Sequence, residues 1–154
     1  MDNSLDIIAC ASITTQNRDF FYLQQKDENH PVQALRLKYA FFGGKAEGNE
    51  SAHDAMLREL NEELFPEAVA LIVPHLNVES LFAIKLQRMY LLPKQDYCML
   101  HFYEVKLSLR DICAIESLPI KEGKRGIILP RSKWSESYFP VHLLPLIEKY
   151  RAHW

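Results

Sequence analysis

Cysteine is sparse in this chain and patterned for nothing. Cys10, Cys98 and Cys113 are odd in number and follow no metal-ligand spacing, so neither a disulfide framework nor a zinc site is expected. Cys10 and Cys98 sit within apolar runs and read as packed thiols. Long hydrophobic runs are missing too. No stretch approaches the roughly 18 apolar residues of a membrane-crossing helix, and the N-terminus lacks the basic and apolar segments of a secretory signal. There is no internal repeat or low-complexity tract. Net charge is −2 with no long basic run, which argues against a nucleic-acid partner. The densest basic stretch, Lys121, Lys124, Arg125, Arg131 and Lys133, reads as a solvated loop. These absences point to a soluble protein of a reducing compartment, and the cytoplasm is the expected location.

The 154 residues are 48% hydrophobic and 25% charged, enough to bury a substantial core in one domain spanning 1–154. The informative stretch runs from Gly44 to Glu63, GKAEGNESAHDAMLRELNEE. Ser51 to Leu64 contains no Gly or Pro and is rich in helix formers, so a helix is expected, with Ser51 or Asn49 as its cap. Ala52, Met56, Leu60 and Leu64, with Leu57 beside them, make an apolar stripe. Glu59, Glu62 and Glu63 stand at i, i+3 and i+4, which places three carboxylates on a shared patch. Like charges so close are best tolerated with a cation among them. A hard divalent ion, Mg²⁺ or Mn²⁺, takes such oxygen ligands together with water and phosphate oxygens. Arg58 can pair with Asp54 or Glu62, or reach back to Glu50, and so orient the acidic patch.

Upstream, Phe41-Phe42-Gly43-Gly44-Lys45 is an aromatic strand ending in two glycines. There the backbone can turn sharply, approach a ligand and offer a carbonyl oxygen of Gly43 or Gly44 to the metal. Gly44, Glu50, Arg58-Glu59, Leu60 and Glu62-Glu63 follow the pattern G-x5-E-x7-R-E-U-x-E-E, with U apolar. This resembles the Nudix box of nucleoside diphosphate-X hydrolases, and Gly43-Gly44-Lys45-x-Glu47 resembles the loop that precedes it. Two departures stand out. Gly48-Asn49-Glu50 replaces x-Gly-Glu, with Asn49 expected to tolerate left-handed geometry. The terminal x-Gly-U is replaced by Leu64-Phe65-Pro66, where proline supplies the stop.

The remaining chain reads as strands around that helix. Leu5 to Thr14 and Phe20 to Leu23 are expected to form a hairpin across Gln16–Asp19. Tyr39 to Phe42, Val78 to Gln87, Leu100 to Leu107 and Arg125 to Leu129 are further strands, with a loop through Pro93 and Asp96. Val141 to Ala152 is a closing amphipathic helix with Pro145 in its first turns. The layout matches what the resemblance implies: an α/β Nudix fold, an α/β/α sandwich with a mixed central sheet.

The resemblance also implies a metal-dependent pyrophosphohydrolase acting on a small-molecule nucleotide. Glu59, Glu62 and Glu63, with Gly43 and Gly44, would bind the metal; Arg58 and Glu50 would orient them. The general base is one of these glutamates or an acid from a later loop. Glu122 is the best such candidate, ahead of Glu116 and Glu104. His53 and His101 read as packed or solvated. Phe20, Tyr22, Tyr39 and Phe82 are candidates for stacking on a base, each equally suited to the core. Signatures of the NADH-cleaving and coenzyme A subclasses are missing, so nucleoside triphosphates, nucleotide sugars and dinucleoside polyphosphates remain open. The alternative is a Nudix-fold regulatory domain that binds a nucleotide without cleaving it, and pairing as a homodimer is left open. Aromatic Trp134, Tyr138, Phe139 and Trp154 are expected to cover the core first, ahead of a dimer contact or a pocket edge. Glu62 and Glu63 are both expected to face solvent and metal. Glu62→Gln or Glu63→Gln should therefore abolish most turnover with the fold intact, as read by initial rates beside thermal melting.

Overall fold

The structure is a computed structural model, and it describes residues 5–87 and 97–154. In chain order the elements are β1 (Asp6–Thr14), β2 (Phe20–Gln25), β3 (Tyr39–Ala40), β4 (Phe42–Lys45), α1 (Ala52–Glu63), α2 (Pro66–Ile72), β5 (Phe82–Gln87), β6 (Tyr97–Lys106), α3 (Leu109–Glu116), β7 (Arg125–Pro130) and α4 (Leu144–Arg151). Short 3₁₀ turns join several of them. The expected loop through Pro93 and Asp96 lies outside the described residues.

β1 is the axis of the sheet. Its side chains alternate as a pleated strand requires: Ala9, Ala11 and Ile13 enter one apolar cluster, while Ile8 and Cys10 pack on the other. Along one edge β1 runs parallel to β6, from Asp6 opposite Cys98 to Thr14 opposite Lys106. Its other edge is shared. Ile13 and Thr14 pair antiparallel with Tyr22 and Phe21 of β2, whereas Ile8 to Ala11 pair antiparallel with Lys45 to Phe42 of β4. The expected single strand from Tyr39 to Phe42 is thus two. β3 lies on β2, and the chain crosses at Phe41 to reach β1. With β5 on β6 and β7 on β2, the sheet is mixed and, among the described residues, seven-stranded.

Helices cover both faces. α1, α2 and α3 bring Ala55, Met56, Leu60, Ala68, Val69, Ile72, Ile112 and Ile115 onto the face holding Ala9, Tyr22, Phe42 and Val105. α4 brings Leu146, Ile147 and Tyr150 onto the opposite face, against Phe21, Phe41, Leu100 and Phe102. Each such large apolar side chain, fully buried, stabilises the fold by about 1.5–3 kcal/mol. Trp134, Phe139 and Trp154 join the second cluster, which is the core-covering role expected of them. Tyr138 stays at the surface beside Tyr39. Cys10 and Cys98 are packed thiols, and Cys113 is exposed.

Two helices go beyond the sequence expectation. Pro66 does stop α1, and it also opens α2, occupying an early position where its missing N–H costs nothing. α3 is capped by Ser108, whose Oγ accepts from Asp111 N–H at 3.1 Å. Val78 to Leu81 do not extend β5, and Val78 is 73% exposed. The closing helix is shorter than expected: Val141–Leu143 form a 3₁₀ turn, and Pro145 sits in the first turn of α4. Among the described residues no helix is long and apolar enough to cross a membrane.

A buried polar network ties the sheet to α4. Tyr150 Oη lies 2.9 Å from Ser12 Oγ and 2.5 Å from Glu104 Oε2, hydrogen-bonded to both. Arg18 grips the same carboxylate with Nε at 2.8 Å and Nη2 at 2.9 Å. Burial works against ionising Glu104, but the hydrogen bonds from Arg18 and Tyr150 outweigh it and hold the carboxyl below its ordinary range. Glu104 is thereby committed to the core and is not free to serve as a base. Tyr150→Phe removes the donor to a buried charge and should lower unfolding free energy by about 2 kcal/mol, measured by urea titration.

Candidate functional site

α1 starts where Ser51 Oγ accepts from Asp54 N–H at 3.0 Å, a side-chain cap on an otherwise orphan donor. Ala55, Met56 and Leu60 press into the first cluster, with Ala52 and Leu57 partly buried against it. Glu63 lies three residues after Leu60 and seven after Met56, which is the inward side of the helix. Its exposure is 2%. The expectation that it faces solvent beside Glu62 is therefore corrected: Glu62 is exposed, while Glu63 turns toward the sheet. A 100° step per residue separates them by most of a face.

The buried carboxylate meets the glycine strand. Gly43 N–H donates to Glu63 Oε1 at 3.0 Å. Gly43 has φ 146°, and a Cβ there would lie 1.9 Å from the Ala9 carbonyl oxygen, so no other residue fits beside β1. At Gly44 a Cβ would lie 2.4 Å from Glu59 Oε1. The missing side chain is the space that the Glu59 carboxylate fills. In the loop that follows, Gly48 takes the left-handed conformation (φ 54°), while Asn49 lies outside that region. The displaced glycine thus carries the turn itself, contrary to the expectation placed on Asn49.

Arg58 organises the acids. Its Nε donates to Glu50 Oε2 at 2.9 Å and its Nη2 to Glu50 Oε1 at 3.0 Å and to the Lys45 carbonyl at 2.9 Å. Nη1 donates to both Glu59 Oε1 and Glu62 Oε1 at 3.1 Å. One guanidinium therefore links the glycine strand, the loop and two of the three α1 glutamates. The hydrogen bond from Arg58, with that from the Glu47 N–H, holds the Glu50 carboxyl below its usual range.

Burial pushes the proton affinities of the inner pair the other way. Glu59 is raised mainly by desolvation, with Glu62 acting in the same sense and Arg58 opposing. Glu63 is pushed up to about 8, again chiefly by burial; the Gly43 N–H and the charge of Lys26 oppose the rise, and Glu59 and Glu122 add to it. The Cys10 thiol is pushed up to about 12 by burial and then by the charge of Glu63, which leaves it un-ionised.

The Lys121–Lys124 loop joins the site. Lys121 N–H donates to the Glu63 carbonyl at 2.7 Å, and Leu64 bridges to Ile120. Glu122 is exposed there, near enough for its charge to act on Glu63. Glu116 lies exposed on α3. Two neighbours are absent from the sequence expectation. Lys26 is one. Gln24 is the other, fully buried with Nε2 3.3 Å from Glu63 Oε2 and 2.9 Å from the Glu122 carbonyl. Its signal is the two-residue step from Tyr22, which puts both on the α1 side of β2.

Beside Gly43 and Gly44 a cleft of about 250 Å³ opens toward the α4 side, lined by Ile8, Cys10, Leu86, Leu100 and His142 among others. None of the proposed stacking aromatics lines it. Tyr22 stacks on Phe42 in the core, Phe82 stacks on Phe102 and Tyr39 rests on Tyr138 and Phe139. Phe20 instead lines a separate surface recess of about 270 Å³. A larger groove, about 960 Å³, lies elsewhere, along Arg18, Glu104, Lys106 and the chain from Pro74 to Leu81. It contains none of the α1 glutamates.

No family model matches the chain, and no curated protein matches it. Solved structures do. The E. coli ORF135 protein superposes with a TM-score of 0.64 at 19% identity, over 97% of this chain and 90% of that one. A MutT protein from Methanosarcina mazei Go1 does so at 0.62 and 16%, over 99% and 97%. A MutT of the Aliivibrio salmonicida and Vibrio cholerae pair gives 0.57 and 19%, over the full length of both chains. The chain has the Nudix fold of the MutT proteins. The residues that resemble the Nudix box lie on α1 and on the glycine strand and loop before it.

Among the described residues, no three His, Cys, Asp or Glu side chains converge closely enough to hold a metal as they stand. Arg58 Nη1 bridges Glu59 and Glu62, taking a cation's place between them. The donor chemistry nevertheless suits a hard divalent ion. The groups are oxygens, and two carboxylates have proton affinities raised by a burial that the nearby charges of Arg58 and Lys26 do not offset. The sign of the resulting pH dependence follows. A carboxyl whose folded-state proton affinity exceeds its unfolded value stabilises the fold below the unfolded pKa, and this is lost as pH rises through the folded pKa. Metal-free protein should lose stability between about pH 4.5 and pH 8, by on the order of a few kcal/mol. Glu63→Gln should flatten that slope, measured by urea unfolding across the range in chelator.

Proposed function

We propose that the chain is a metal-dependent hydrolase of the diphosphate linkage in a nucleoside diphosphate-X compound, using Mg²⁺ or Mn²⁺. The observation that carries this reading is the placing of Glu59, Glu62 and Glu63 along α1, with Glu59 and Glu63 packed on Gly44 and Gly43, in a chain of Nudix fold. A polyanionic substrate needs its charge offset and its nucleophile activated. A bound divalent cation supplies both, neutralising phosphate charge, polarising a P–O bond and lowering the pKa of water.

Glu59, Glu62 and Glu63, with a carbonyl of Gly43 or Gly44, would hold that ion. Arg58 keeps the acids in register through Glu50 and Lys45. Water adds to one phosphorus of the bridge, the bridging P–O bond breaks and the water proton passes to a carboxylate, either one of the α1 glutamates or Glu122. The cleft beside Gly43 and Gly44 is mostly apolar with His142 in its lining, which suits a planar base or the group X.

The test is product release across nucleoside triphosphates, oxidised deoxynucleoside triphosphates, nucleotide sugars, ADP-ribose and dinucleoside polyphosphates, with Mg²⁺ or Mn²⁺. One class should turn over, chelator should abolish the activity, and Glu59→Gln should lower kcat by about 10²–10³-fold, the scale for losing one charge-stabilising group. Silence across the panel with nucleotide binding retained would replace this reading with that of a regulatory domain.

A further inference from the structure

Gln24 is a fully buried amide in a strand whose other inward residue, Tyr22, is aromatic and packed. Its Nε2 is divided between Glu63 Oε2 and the Glu122 carbonyl. Its Oε1 is buried with no hydrogen-bond partner among the described residues. An apolar residue there would fill the same space without burying an unsatisfied acceptor, which is costly in a protein interior. The surroundings are shaped to hold the amide in place. A Cβ on Gly123 would lie 2.8 Å from the Gln25 carbonyl oxygen, 2.9 Å from Gln24 Cγ and 3.2 Å from its Cδ, so the loop closes over this part of β2 and the Gln24 side chain only because residue 123 has none. The same loop is fastened on both sides, by Lys121 N–H to the Glu63 carbonyl at 2.7 Å and Lys124 N–H to the Gln25 carbonyl at 2.8 Å.

We infer that Gln24 is a positioning residue: its amide aims the Glu63 carboxylate at the site and ties it to the loop that carries Glu122. This rests on the hydrolase reading above. Gln24 touches no substrate in this role and acts through the two glutamates, as groups behind metal ligands commonly do.

Gln24→Met keeps the volume and removes both donors. Four quantities decide the matter: kcat, KM, Mn²⁺ affinity by calorimetry without nucleotide, and the melting temperature. The expected result is a 10–100-fold fall in kcat and a comparable weakening of Mn²⁺ binding. KM should change less than about threefold, and the melting temperature should fall by no more than a few degrees, because losing the unsatisfied Oε1 offsets part of the cost of taking a donor from Glu63 and the Glu122 carbonyl. Wild-type kcat and Mn²⁺ affinity in Gln24→Met would overturn the inference, as would a loss of activity that tracks a collapsed melting temperature. In the wild-type protein, the Gln24 side-chain amide resonances should shift on Mg²⁺ addition, and their indifference would also overturn it. A wild-type protein that neither hydrolyses the panel nor binds Mn²⁺ would instead remove the hydrolase reading, and this inference with it.

Discussion

Glu63 sits on the core side of α1, where the helix otherwise presents Met56, Leu60 and Leu64. Burying a carboxylate is expensive unless it is solvated by the protein. Here the solvation comes from the Gly43 N–H and the Gln24 amide, and both depend on distant choices. Gly43 can bring its N–H to the helix only because β4 lies close on β1 with no side chain at that point. Gln24 can do so because β2 pairs with β1 at Ile13 and Thr14 and then carries Gln24, on the same face as Tyr22, to Glu63 at the C-terminal end of α1. The splitting of the glycine strand into β3 and β4 at Phe41 serves the same end, since it moves the chain from β2 to β1 just before Gly43.

The molecule uses guanidinium–carboxylate grips at two ends for different purposes. Arg18 holds Glu104 beside Tyr150 and Ser12 in a part-buried network, and the depressed proton affinity of Glu104 goes with a carboxylate compensated by those hydrogen bonds. Arg58 holds Glu50 as firmly but shares its third nitrogen between Glu59 and Glu62. The inner carboxylates are left under-compensated, and their proton affinities rise. That contrast separates a structural acid from acids suited to a cation and a phosphate chain.

Much of the fold and site is legible in the residues alone. The helix from Ser51 follows from offsets along the chain and from residue chemistry, which also narrow its cap to Ser51 or Asn49 and the partners of Arg58 to Asp54, Glu62 or Glu50. These features are local, and the offsets repeat every turn. The strands with strong alternation are legible for the same reason. Less local features are not. The helix starts at Pro66 and Ser108 give little signal because each opens a short helix with little periodic pattern, and Val78 to Leu81 fall outside β5 although Leu81 N–H donates to the Phe102 carbonyl at 2.7 Å. The stacking aromatics are ambiguous because a ring that lines a pocket and a ring that fills a core look alike in a sequence.

The sequence by itself determined the chemistry available: three glutamates and an arginine at fixed helical offsets behind two glycines, on a chain large enough for one α/β domain. Those are properties of spacing and residue type, which survive any packing. Only the tertiary structure decided which of the glutamates is exposed and which is buried, because a one-residue step around a helix is resolved by what the sheet places opposite. It alone brought Gln24 and the Lys121–Lys124 loop to Glu63, from about 40 residues before and 60 after along the chain, since contacts between residues so far apart are set by strand pairing and not by any local preference.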